Sequence, residues 1–84
     1  MRCYADVDVV VEDITESEWI DEAARYGVDA ELLAPAAPAG HWPFYRMSGE
    51  REALVKFLCE QYLDGDSVES DLGDAGVEIK PVTN

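Results

Sequence analysis

Basic residues are scarce in this sequence. Its 84 residues include 19 aspartates and glutamates but only 6 lysines and arginines, which gives a formal net charge of −13 at pH 7. A small domain with this charge carries a negative potential that repels DNA, RNA and anionic membranes. The composition therefore argues against direct nucleic-acid or membrane binding and favours cationic partners, basic protein surfaces above all.

The shortage of lysine has a second explanation. Lys56 and Lys80 are the two lysines of the chain, and a carboxylate-rich, lysine-poor surface is also common in proteins adapted to high salt. Composition alone leaves both alternatives open, acidity directed at a partner and acidity as salt adaptation.

Cysteine and histidine are also rare. Two cysteines and one histidine are too few for a disulfide scaffold or a zinc site, which needs about four ligands. We expect Cys3 and Cys59 to be buried free thiols. No serine or cysteine forms a recognisable nucleophile–base arrangement with His41, so we expect a protein that is not an enzyme and that uses no metal or cofactor.

Long apolar runs are missing as well. No run approaches the roughly 20 residues of a membrane span, and the first residues lack the apolar segment of a signal peptide. We therefore expect a cytoplasmic protein, located in the host cytoplasm if a phage encodes it. The length predicts one domain over residues 1–84.

The first half of the chain contains two clearly periodic segments. Residues 3–12 alternate with period two and are rich in valine, which predicts a half-buried strand. Residues 14–27 predict a helix, because Thr15 and Glu18 have capping-box spacing and Gly27 suits the position that ends a helix. Its expected apolar stripe contains Trp19, Ile20, Ala23 and Ala24. The next segment, residues 28–33, fits a short strand or a helical turn, and we favour the strand.

The second half repeats this order of elements. We predict a loop over the proline-rich residues 34–40, a strand over residues 41–47 and a helix over residues 48–65. Ser48 is the predicted N-cap of that helix. Residues 77–82 alternate again and predict an edge strand.

The order strand, helix, strand, strand, helix, strand is that of the ferredoxin-like α+β fold. It predicts a four-stranded antiparallel sheet with two helices on one face and the first and third strands in the centre. If residues 28–33 are helical, the sheet has three strands and the prediction fails. Pro43 in the third strand is the main objection, since proline suits an edge or a strand start.

Such a sheet leaves one face uncovered. Because Arg46 should avoid the core, alternation places Trp42 and Phe44 on the uncovered face with Asp6 and Asp8. This layout resembles the RNA-recognition motif, whose central strands carry stacking aromatics, but acidic residues stand where that family has basic ones. A basic peptide or protein surface is the better match. The alternative is that Trp42 and Phe44 belong to the core.

Residues 64–78, DGDSVESDLGDAGVE, contain six carboxylates and no basic residue. If Asp64 began an EF-hand loop, Val68 would occupy a ligand position and Glu69 the glycine position, so the calcium pattern breaks. We expect a solvated loop that adds to the negative field of the domain.

These observations favour a small acidic binding or inhibitor protein. In size and charge the chain is similar to phage inhibitors of CRISPR and restriction nucleases, which mimic DNA and occupy a basic groove with carboxylates. We expect one acidic patch of Asp6, Asp8, Glu12, Glu16, Glu18, Asp21 and Glu22, and a second of Asp64, Asp66, Glu69, Asp71 and Asp74. Two alternatives are a regulatory or assembly module that dimerises through its sheet face, around Trp42 and Phe44, and a halophile-adapted small domain.

Overall fold

The computed structural model of the protein describes residues 1–12, 14–35, 42–63 and 65–83. The second helix continues directly into a short π-helical segment, Leu58–Tyr62, which is called the π turn below. The remaining elements in chain order are β1 (Arg2–Asp8), α1 (Glu16–Arg25), β2 (Asp29–Ala34), β3 (Phe44–Glu50), α2 (Arg51–Phe57), α3 (Glu69–Asp74) and β4 (Lys80–Pro81).

The four strands form one sheet in the order β2-β3-β1-β4, and all neighbouring strands are antiparallel. The predicted ferredoxin-like arrangement with β1 and β3 in the centre is therefore confirmed, and α3 is an addition to it. Residues 28–33 were predicted as a strand, and β2 confirms this. Pro43 is buried directly before β3, where its carbonyl oxygen accepts a hydrogen bond from the Val9 N–H at 2.9 Å.

The core lies between the sheet and the helices. Cys3, Ala5 and Val7 of β1 are buried on the helix side, as the period-two pattern predicts, and Met47 of β3 pairs with Ala5 in the sheet. The helices cover them with fully buried side chains, of which Phe57 is the largest. Both cysteines are buried free thiols, as predicted.

Helix α1 begins with the predicted capping box. The Glu18 N–H donates to the Thr15 hydroxyl at 3.1 Å, and the Thr15 N–H donates to the Glu18 carboxylate at 3.2 Å. Gly27 adopts a φ of +78°, which a residue with a side chain rarely takes, so it ends the helix as predicted.

The predicted apolar stripe of α1 is wrong in two positions. Trp19 and Ala23 are buried, but Ile20 and Ala24 are exposed. Successive residues of a helix are about 100° apart, and a single sheet and one neighbouring helix cover only a narrow sector of α1. Ile20 and Ala24 lie on the flank outside that sector.

The predicted start of the second helix is also wrong. Ser48 is not its N-cap, because residues 48–50 continue β3 and pair with Tyr4, Cys3 and Arg2 of β1. The N-cap residue is Glu50, which makes no capping side-chain hydrogen bond. Pairing of a central strand on both sides outweighed the local preference of serine for a cap.

The acidic stretch is not a loop throughout, contrary to our expectation. Within it, α3 buries Leu72 against the core, and Val77 is buried after it. The Asp71 carboxylate accepts a hydrogen bond from the Val68 N–H at 2.8 Å and so caps the start of α3. Burial of Leu72 and Val77 therefore attaches this strongly charged segment to the core of the domain.

Strands β1, β3 and β4 differ in extent from the predicted segments 3–12, 41–47 and 77–82. Strand β4 has two residues, fewer than the predicted segment 77–82, although it lies at the sheet edge as expected. Most of the predicted loop 34–40, together with His41, lies outside the described residues. No helix in the described ranges has the length and apolar character needed to cross a bilayer.

Candidate functional site

The side of the sheet that faces away from the helices, called the open face below, is defined by strand register. Asp6 pairs with Arg46 across β1 and β3, and Glu31 of β2 lies opposite the same arginine. Alternation then places further residues of the four strands on this side. The members of the open face are Arg2, Tyr4, Asp6, Asp8, Asp29, Glu31, Phe44, Arg46, Ser48 and Lys80.

Arg46 is held at the centre of the open face. Its Nε lies 2.8 Å from one oxygen of Asp6, and a terminal nitrogen lies 3.1 Å from the other, so the ion pair is bidentate. The guanidinium also lies 4.4 Å from the centroid of the Tyr4 ring. Hydrogen bonding from Arg46 lowers the pKa of Asp6 below its usual value. Asp6 therefore stays ionised, but its charge is matched.

Three further positive groups at the sheet also lie within 4 Å of a carboxylate. Arg2 contacts Asp29 at 3.0 Å, and the amino group of Met1 contacts Glu50 at 2.8 Å. Lys80 lies 3.9 Å from Glu78. The open face thus has three positive side chains and four carboxylates, of which Asp8 and Glu31 have no ion-pair partner within 4 Å among the described residues.

The opposite side of the molecule has a different charge distribution. We call it the helix layer, which comprises α1, α2, the π turn, α3 and residues 65–68. Two ion pairs occur in it, Arg25 with Glu22 and Arg51 with Glu69. The carboxylates of this layer that have no ion-pair partner within 4 Å among the described residues are Glu16, Glu18, Asp21, Glu52, Glu60, Asp66, Asp71 and Asp74.

The first predicted acidic patch is not one surface in the structure. Asp6 lies on the open face, whereas Glu18 and Asp21 lie on α1, across the sheet from it. Asp8 ends β1, and Glu12 is exposed in the segment that follows. The remaining two carboxylates have partners: Glu22 pairs with Arg25, and Glu16 accepts a hydrogen bond from the Tyr45 hydroxyl at 2.6 Å.

The second predicted patch stays together. Glu69, Asp71 and Asp74 belong to α3, and exposed Asp66 lies shortly before it. Asp64 lies outside the described residues. Glu69 is paired with Arg51, and Asp71 caps the helix start, so Asp66 and Asp74 are the members without a polar partner in the described structure.

The helix layer contains two exposed carboxylates that sequence reasoning missed, Glu52 and Glu60. Glu60 of the π turn accepts a hydrogen bond from the Tyr26 hydroxyl at 3.0 Å, which links the π turn to the end of α1. The polar side of the second amphipathic helix could have indicated both residues. With Asp21 of α1 and Asp74 of α3, every helical segment of the layer carries an exposed carboxylate without an ion-pair partner within 4 Å among the described residues.

The two aromatic candidates lie outside the core. Trp42 is 37% exposed just before β3, and Phe44 is half-buried on the open face opposite Asp8. The alternative that both residues fill the core is therefore wrong.

A surface cavity of about 400 Å³ lies beside α2, where Lys56, Cys59 and Val68 contribute to its wall. Burial raises the pKa of the Cys59 thiol, and the nearby Asp71 raises it further. The thiol is therefore protonated and poorly nucleophilic at neutral pH. Within the described ranges, no group of three or more histidine, cysteine, aspartate or glutamate side chains could hold a metal ion.

Comparison of the chain with protein-family models, with curated proteins and with solved structures gives no match.

Proposed function

We propose that the protein is a small non-enzymatic inhibitor of the cytoplasm that occupies a basic nucleic-acid-binding surface of another protein. The acidic helix layer would make the contact, in the manner of phage inhibitors that mimic DNA. One observation carries the proposal: among the described residues, eight carboxylates of the helix layer have no ion-pair partner within 4 Å, whereas only two on the open face, Asp8 and Glu31, have none.

The segregation of charge supports this proposal over salt adaptation. A protein adapted to high salt benefits from carboxylates over its entire surface, whereas Arg46, Arg2 and Lys80 each pair with a carboxylate at the sheet here. A one-sided negative field orients the molecule as it approaches a cationic groove and accelerates encounter at low salt. Binding should therefore weaken strongly as ionic strength rises.

The test is competition with DNA. Purified CRISPR effector and restriction nucleases are incubated with a labelled DNA duplex, and DNA binding is measured by mobility shift with increasing amounts of the protein. We expect displacement of DNA from at least one nuclease, stronger at low salt. The triple variant Asp21→Asn, Glu52→Gln, Asp74→Asn removes three of the eight unpaired carboxylate charges of the helix layer. It should lose at least about tenfold in competing strength.

The matched control changes the same number of charges elsewhere. The variant Asp8→Asn, Glu12→Gln, Glu78→Gln neutralises exposed carboxylates at the end of β1, in the segment that follows it and before β4. It should compete almost as well as the unmodified protein. Equal losses in both variants would show that only net charge matters, and no displacement from any nuclease would remove the proposal.

A second candidate function is an assembly module that dimerises through the open face. The matched charges of this face favour it, because two copies could meet there without bringing the helix layers together. Trp42 and Phe44 would supply apolar contact area. Sedimentation equilibrium distinguishes the two functions: a dimer whose mass does not change between low and high salt, and which Trp42→Ser dissociates, would favour this candidate.

A further inference from the structure

The longer free edge of the described sheet is that of β2. This strand lies at the end of the sheet order and pairs with β3 alone, whereas the opposite edge strand, β4, has two residues. An unpaired strand edge presents backbone N–H and C=O groups that can bond to another strand. Soluble proteins usually protect such an edge with charge, proline or a bulge. β2 has no lysine, proline or inward-pointing charge, and its register shift lies at the far end, between Leu32 and Ala34.

Two of the exposed large apolar side chains, Leu32 and Leu33, belong to this edge strand. Leu32 is 48% exposed although its register places it on the core side of the sheet, opposite Tyr45. Leu33 is 40% exposed next to it. The core side of β2 thus extends beyond the cover that the helices provide.

The rotational position of α1 shows what lies above Leu32. Trp19 of α1 and Tyr26, the C-cap residue directly after α1, both contact Phe57 of α2. Their ring-centroid distances to Phe57 are 4.9 and 5.3 Å, so they define the flank of α1 that faces α2. Glu16 reaches Tyr45 and so marks the side toward the sheet. At about 100° per residue, Ile20 and Ala24 fall on the flank away from α2.

Because α1 packs on β2, this outer flank overhangs the free strand edge. Ile20 is 39% exposed and Ala24 is exposed. We call the apolar surface of Ile20 and Ala24 on α1 and Leu32 on β2 the apolar ledge. A strand added beside β2 would place its core-side residues beneath the outer flank of α1 and would widen the buried core by one strand.

The opposite side of the same edge is acidic. Glu31 lies on the open face and has no ion-pair partner within 4 Å among the described residues, and exposed Asp29 lies two residues before it. A residue of an added strand on this side would face carboxylates. A second copy of this chain would bring its own −13 charge to the edge, so charge favours a basic partner over self-pairing.

We propose that the β2 edge and the outer flank of α1 accept an extended segment of a partner protein in which basic and apolar residues alternate. The apolar residues would enter the ledge of Leu32, Ile20 and Ala24, and the basic residues would contact Glu31 on the open face. The register shift between Leu32 and Ala34 bends the far end of β2 and confines regular pairing to residues 29–32. This proposal rests on the proposed function for the basic character of the partner.

A synthetic peptide tests the site directly. The probe is a capped hexapeptide of alternating lysine and valine, and its control has the same residues in block order. We expect the alternating peptide to bind at least about tenfold more tightly by fluorescence anisotropy. It should also slow amide hydrogen exchange in residues 29–33. Leu32→Asn and Ile20→Asn should each weaken its binding about tenfold.

Val68→Asn is the matched control, because Val68 is 60% exposed on the far side of the helix layer, and it should leave peptide binding unchanged. Equal binding of both peptides without protection of β2 would overturn the proposal. Protection of β2 that depends on protein concentration alone, together with a dimer mass, would overturn it in favour of self-pairing.

The two proposals fail in different ways. If Leu32→Asn still displaces DNA from a nuclease and the alternating peptide leaves β2 unprotected, the edge site is wrong and the proposed function stands. If the peptide protects β2 but no nuclease releases its DNA, the edge site stands and the proposed function is wrong.

Discussion

The two sides of the sheet use their charges differently. On the open face, Arg46 joins Asp6 in a bidentate ion pair and stacks over Tyr4, so charged side chains there stabilise each other. On the helix layer, Asp21 and Asp74 are exposed without a polar partner in the described structure. The comparison indicates that the Arg46–Asp6 ion pair supports the fold, whereas Asp21 and Asp74 make no polar contact in the described structure that would do so.

The largest effect on stability is expected in β3, whose successive residues alternate between the core side and the open face. Met47 is fully buried on the core side of β3, and its neighbour Ser48 lies on the open face. Met47→Ala should lower the free energy of unfolding by about 2–5 kcal/mol, because it leaves a cavity. Ser48→Ala should change it by less than about 0.5 kcal/mol. Urea denaturation measures both, and comparable losses would contradict the assignment of faces.

A smaller effect is expected at the hydrogen bond from Tyr45 to Glu16, which joins the sheet to α1. Tyr45→Phe removes its 2.6 Å bond to Glu16 and should lower the free energy of unfolding by about 1.5 kcal/mol at pH 7. Burial, and then Glu16, raises the pKa of Tyr45 to about 12. Since an unfolded tyrosine ionises near pH 10, the unfolded state loses this proton first.

The contribution of Tyr45 to stability is therefore complete below about pH 10 and disappears as the pH rises to about 12. Urea titrations at pH 8 and at about pH 11 should show a steeper loss for the unmodified protein than for Tyr45→Phe. Parallel curves would show that Tyr45 does not titrate between those values.

The smallest effect separates matched from unmatched carboxylates. Asp6→Asn should lower the free energy of unfolding by about 0.5–1 kcal/mol, since its ion pair with Arg46 is partly exposed. Asp21→Asn should change it by less than about 0.5 kcal/mol, or raise it slightly by reducing self-repulsion.

The effect of Asp6→Asn should also depend on pH. The pKa of Asp6 is lowered in the folded state, so its contribution is present above the unfolded value near pH 4 and is lost as the pH falls through the folded value. The difference between Asp6→Asn and the unmodified protein should accordingly shrink below about pH 4. A difference that stays constant down to pH 2.5 would mean that Arg46 does not hold this carboxylate.

Sequence reasoning was accurate where one element controls the outcome. Alternation in β1 identified its buried face, the Thr15–Glu18 spacing identified the start of α1, and Gly27 identified its end. It failed for Ser48 and for Ile20, whose surroundings depend on which strands and helices lie beside them. The candidate site was predictable as an acidic surface, but its division between two faces was not.

The sequence by itself determined the negative charge, the order of the four strands and the two longer helices, and the buried side of β1 and β3. These properties follow from composition and from the periods of single segments, which require no knowledge of neighbours. Only the tertiary structure decided that Arg46 matches Asp6, that α3 docks through Leu72, and that Ile20 overhangs the free edge of β2. Those contacts join residues far apart in the chain, and their pairing depends on strand register and helix packing.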